Sequence, residues 1–104
     1  MKIHGLRKTV GMLKNERRHL DLALQRVAEE SKKALIAMQT HDALIERTTD
    51  PAERRRLFTE RLTQKLYLDA LLQEANRLVN QGYQWQSKAL RLKALLQGEK
   101  DAIH

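Results

Sequence analysis

An apolar residue recurs at strict three-four spacing through the first half of this chain, and the same period returns in mirrored register through the second. Positions 3, 6, 10, 13, 17, 20, 24, 27, 31, 34, 38, 41 and 45 read Ile, Leu, Val, Leu, Arg, Leu, Leu, Val, Ser, Ala, Met, His and Ile, of which ten are apolar. That is the pattern of a coiled-coil seam. Leu68, Leu71, Ala75, Leu78, Gly82, Trp85, Ala89, Leu92 and Leu96 repeat it. Folding the chain back on itself opposes the two sets, because matched positions sum to 99 or 98: Ile3 with Leu96, Val10 with Ala89, Leu24 with Ala75, Leu13 with Trp85, Leu20 with Leu78. The expected fold is all-α, two long helices forming an antiparallel coiled-coil hairpin.

The element boundaries follow from local chemistry. The first helix is expected over about residues 4–47, with Gly5 and Gly11 each weakening its first turns by about 1 kcal/mol relative to Ala. Thr48-Thr49-Asp50-Pro51 combines an N-cap acid with a proline at the first helical position, and Glu53 sits three residues beyond Asp50 in capping-box spacing. The turn is therefore placed at about 48–50 and the second helix at about 51–97, with Gly98 as the C′ residue before a short tail. Near the turn the apolar set Phe58, Leu62 and Leu66 joins the strict seam at Leu68 only through a local phase shift, which predicts a stutter there. A chain of 104 residues with 4% aromatic content and this period reads as a single helical domain spanning 1–104.

Little in the sequence supports catalysis. There is no cysteine, so thiolate nucleophiles, thiolate metal sites and disulfides are all excluded, in keeping with a reducing compartment. The four histidines are His4, His19, His41 and His104, and only Glu16-x-x-His19 has ligand-like spacing. A carboxylate-bridged di-metal site needs a second such pair. No metalloprotease helix, phosphate-binding glycine loop or Ser-His-Asp set can be assembled. The chain is read as a non-enzyme with no cofactor and no metal. No run of about 18 apolar residues exists to span a membrane, and Met1 to Gly5 opens without a leader core, so a cytoplasmic location is expected.

Two seam positions and one outer face stand out. His41 is expected as a packed seam histidine opposite Leu57 and Phe58. Arg17 faces Gly82 under the mirror rule, and the missing side chain there leaves room for a long cation to cross the seam toward solvent. The layer is read as a register lock, with a loosened open end as the functional alternative. Leu22, Ile36, Leu44, Leu72, Val79, Leu90 and Leu95 lie off the seam, more apolar surface than one pairing covers, which predicts a partner or self-association. The Arg54-Arg55-Arg56 triplet is read as solvated, since consecutive helical residues face different directions.

The charge distribution points to a place for that partner. Residues 1–18 and 84–104 together hold ten basic and three acidic residues, whereas 19–83 hold ten of each, so the whole net charge of +7 gathers where both chain ends meet. Residues 75–98 contain no acid. An anionic partner is implied.

The opening Leu6-Arg7-Lys8-Thr9-Val10-Gly11-Met12-Leu13-Lys14-Asn15-Glu16-Arg17-Arg18 resembles the basic Leu-x-x-x-Val-x-x-Leu-Lys/Arg-x-Glu-Arg start of the central-stalk proteins of flagellar and injectisome type III secretion. The resemblance implies a non-enzymatic stalk whose paired termini enter a hexameric export-ATPase ring, with contacts to the export gate and to secretion chaperones. Carried onto this sequence, it implies partner binding by Arg7, Lys8, Lys14, Arg17, Arg18, Lys88, Arg91 and Lys93. The competing reading is a small basic nucleic-acid-binding helical protein, a homodimeric four-helix bundle presenting basic faces to phosphate. Base stacking has little support, because Tyr83 and Trp85 are the only aromatics near the basic end and the seam claims Trp85. A membrane-surface helix is disfavoured, because the heptad turns its apolar face inward.

Overall fold

A computed structural model describes the backbone of residues 3–103 and the side chains of residue 5 and residues 7–98. The seam side chains Ile3 and Leu6, the charges of Lys2, Glu99, Lys100 and Asp101, and His4 and His104 lie outside the described residues. Two antiparallel helices, α1 (Ile3–Arg47) and α2 (Pro51–Ile103), account for every described residue except Thr48, Thr49 and Asp50. The protein is an all-α helical hairpin. No helix among the described residues is long and apolar enough to cross a membrane.

The turn forms where the sequence places it, by a simpler cap than expected. The Asp50 carboxylate accepts the Ala52 N–H at 3.4 Å, and its carbonyl accepts the Arg54 N–H at 3.0 Å as the first bond of α2. Glu53 does not close a capping box, because its carboxylate is held by the Arg56 guanidinium one turn on. The hydrogen bond to Arg56 draws the Glu53 carboxyl below its ordinary range. Arg56 also donates to Glu60 at 2.7 Å, so one member of the arginine triplet already has two acidic partners. At its other end α2 outruns the expectation. It passes through Gly98, which keeps a helical backbone, and continues to Ile103 in place of a short tail. Glycine permits the left-handed cap without requiring it, and Glu99-Lys100-Asp101-Ala102 offers three good helix formers beyond it.

The chain divides into two compact units, one within Met1–Ala23 and Arg77–His104, the other within Leu24–Asn76. In the second unit Ala34, Ile45 and Leu57 are buried. Phe58, Leu62 and Leu66, expected in the seam, are instead 52 to 61% exposed, while Leu57 is 4% exposed. No stutter occurs. The seam runs in phase through Leu57, Arg61, Gln64, Leu68, Leu71 and Ala75, all buried or half-buried. Arg61 is tolerated at its position because the facing helix answers it. Arg61 pairs with Asp42, and Glu60 lies 3.0 Å from His41 Nε2. His41 is thus a seam histidine, with 17% of its side chain exposed, but it meets Glu60, while Phe58 is turned to solvent. Its Nδ1 is buried without a hydrogen-bond partner among the described residues. Tyr67 donates across the helices to Glu30 at 3.2 Å.

In the first unit Leu13, Leu78 and Leu92 are buried, and Val10 and Trp85 pack against the Leu13 and Leu92 pair. The expected opposition of Leu13 and Trp85 is present as a hydrogen bond, the indole N–H donating to the Leu13 carbonyl at 2.6 Å. A carbonyl oxygen has two lone pairs, so the helix ladder and the indole can share it. The off-seam residues Leu22, Ile36, Leu44, Leu72, Val79, Leu90 and Leu95 are all exposed, between 43 and 62%.

Candidate partner-binding surface

All eight cations singled out from the sequence, Arg7, Lys8, Lys14, Arg17, Arg18, Lys88, Arg91 and Lys93, are exposed and belong to the unit that carries both chain ends. Counted over whole units, that one holds eleven basic and four acidic residues, and Leu24–Asn76 holds nine of each. The net charge of +7 therefore resides in one unit.

The helices do not gather these cations onto one side. Lys14, Arg17 and Lys93 rim one groove, and Arg7, seven residues before Lys14, continues its stripe. Arg18 projects beside Arg17. Lys88 lines a different groove with Glu16 and His19, where its ammonium lies 3.8 Å from the Glu16 carboxylate. Arg91, one turn from Lys88, shares that side. Lys8 lies on the outer face of α1, between the two sides. Lys14 and Lys93 make no ion pair among the described residues, whereas Arg17 lies 3.9 Å from Asp21.

Arg17 does not use the space beside Gly82. Its guanidinium carbon sits 5.2 Å from the centroid of the Trp85 ring, within cation–π range, and its side chain is 65% exposed. A Cβ added at Gly82 would meet nothing within 4 Å. The space beside Gly82 stays open, and the Trp85 ring offers the guanidinium an aromatic face that the glycine lacks. Arg17 lies over that ring at the exposed edge of the seam.

The groove rimmed by Lys14, Arg17 and Lys93 is a feature the sequence did not foretell. It measures about 320 Å³, and its floor is Val10, Leu13, Trp85, Ala89, Leu92 and Leu96. Each floor residue was legible as seam, yet the seam is incompletely closed. The available signal was the small residue Ala89 opposite the β-branched Val10, a pairing too short to fill the space between two backbones. The second groove, about 460 Å³, is more polar, with Gln81 and Gln84 beside Glu16, His19 and Lys88. Among the described residues no three His, Cys, Asp or Glu side chains converge as metal ligands do. Comparison with family models, curated proteins and solved structures finds no match to this chain.

Proposed function

We propose that this protein is a non-enzymatic coiled-coil adaptor that docks its basic end, the unit bearing both chain ends, onto an acidic protein partner. The observation that carries the reading is the segregation of charge: one unit holds the entire net charge on exposed side chains, and the other is neutral. Such a field steers and orients an acidic partner, while exposed apolar side chains such as Val79, Leu90 and Leu95 on the same unit supply lasting contact. The resemblance of Leu6 to Arg18 to the secretion stalk proteins makes a hexameric export ATPase, and after it a secretion chaperone, the first partners to test. A cytoplasmic location belongs to the same reading.

The test is capture of the purified ATPase by the parent chain and by a variant with Lys88, Arg91 and Lys93 all changed to Glu. Capture should be abolished at about 0.15 M salt, where exposed charges act over about 8 Å, while the helical circular dichroism stays unchanged. Undiminished capture by the variant would remove the main support for the reading. Phosphate binding is the competing use of the same cations, and it draws less support because Trp85 is packed in the seam beneath Arg17. Titration with duplex DNA and structured RNA at two salt concentrations separates them. Micromolar binding that persists near 0.15 M salt would favour nucleic acid.

A further inference from the structure

We infer that the groove between Lys14, Arg17 and Lys93 is a seat for a single amphipathic helix with acidic flanks, supplied by a partner protein. This deepens the docking reading and rests on it. The floor is apolar along its length, formed by the seam residues Val10, Leu13 and Trp85 with Ala89, Leu92 and Leu96. It extends over residues 10–17 of α1 and 85–96 of α2, roughly 10 and 16 Å at the helical rise, or about two to three turns of a third helix. A groove between two helices that still shows seam residues accepts a third helix as a coiled coil adds a strand, with its apolar stripe on the floor.

The rim decides the chemistry of that helix. Lys14 and Arg17 stand on the α1 side and Lys93 on the α2 side, and no acid lines the groove. Lys14 and Lys93 have no ion-pair partner among the described residues. In a helical bundle the residues flanking the apolar stripe meet the flanks of the neighbouring helix, so Asp or Glu on both flanks of the incoming helix would complete the pairing. A single-headed anionic amphiphile such as a fatty acid offers one carboxylate and cannot answer cations on both rims. The two-sided charge therefore favours a helix over a lipid.

Trp85 is the only tryptophan of the chain and lines the floor, so its fluorescence reports occupancy. The probe is an 18-residue helical peptide with Leu at its a and d positions and Glu at e and g. Its counterparts are the same peptide with Lys for Glu, and decanoate. At about 0.15 M salt the acidic peptide should shift the Trp85 emission saturably and the basic peptide should not. Changing Lys14→Glu with Lys93→Glu, both exposed positions, should weaken the acidic peptide by about tenfold or more and admit the basic one. Ala89→Leu, which fills the floor without touching charge, should weaken the acidic peptide as well, and Arg54→Glu with Arg55→Glu, exposed positions of the neutral unit, should leave the titration within about threefold. Equal binding of the acidic peptide to the parent and the Lys14, Lys93 variant overturns the inference, as does saturation by decanoate with no response to the peptide. A parent chain that ignores the acidic peptide but loses ATPase capture on reversal of Lys88, Arg91 and Lys93 overturns the groove and leaves the docking reading standing. A peptide response combined with unaltered capture sinks the docking reading and with it the natural role of the groove.

Discussion

Arg17 and Gly82 show how a single layer departs from seam arithmetic. Position sums oppose them, but the sums treat side chains as points, and Trp85 is not one. Its indole N–H donates to the Leu13 carbonyl, and its ring lies beneath the Arg17 guanidinium. Gly82 is then a helical glycine with no neighbour that requires it. Since a Cβ there meets nothing within 4 Å and the backbone is right-handed helix, Gly82→Ala should stabilise the protein by about 1 kcal/mol, read as a higher midpoint in urea. Destabilisation by this change would mean that the glycine is needed for close approach. His41 teaches the same lesson from the other unit. Its seam position was legible, but its partner Glu60 was not, because a hydrogen bond across the helices depends on side-chain reach as well as on register.

At the scale of the helix, α2 separates apolar content from apolar position. Phe58, Leu62 and Leu66 form the more hydrophobic set, and Leu57, Arg61 and Gln64 form the seam. The short turn and the seam of α1 set the phase of α2, and the pairing of Arg61 with Asp42 makes a cation in that seam acceptable. Leu57→Ala should therefore cost about 2–4 kcal/mol, and Phe58→Ala no more than about 0.5 kcal/mol, measured by chemical denaturation. A larger loss at Phe58 would restore the phase shift. The start of α2 carries its own signature. Glu53 has a lowered pKa through its hydrogen bond to Arg56, so its contribution is fully present above about pH 4.3, the unfolded-state value, and is lost as the pH falls through the lowered one. Glu53→Gln should therefore melt below the parent at pH 6, with the gap closing as the pH falls through the lowered value. A gap that is constant with pH would show that the ion pair contributes nothing.

For the whole molecule the governing fact is that charge follows the structural units, +7 within one and zero within the other. Like charges held near one another destabilise the unit that holds them, and added salt screens that repulsion, the Debye length falling from about 30 Å at 0.01 M to about 8 Å at 0.15 M. Raising the salt over that range should slow amide hydrogen exchange within residues 7–23 and 77–98 more than within 24–76. Uniform slowing would show that the excess charge imposes no cost on its own unit. The same repulsion is relieved by an acidic partner, which links the stability of that unit to the docking proposed for it.

The sequence alone determined the class of fold, the turn at Thr48 to Asp50, the seam of α1 and the charge asymmetry, because each is a one-dimensional pattern: a period, a capping residue, a count along the chain. Tertiary structure decided the phase of α2 near the turn, the partners of Arg17 and His41, and the open groove over Ala89. Those depend on side-chain size and reach across a helix pair, where a side chain as long as Arg17 can lie over the ring of Trp85 and a residue as small as Ala89 can leave its own layer unfilled.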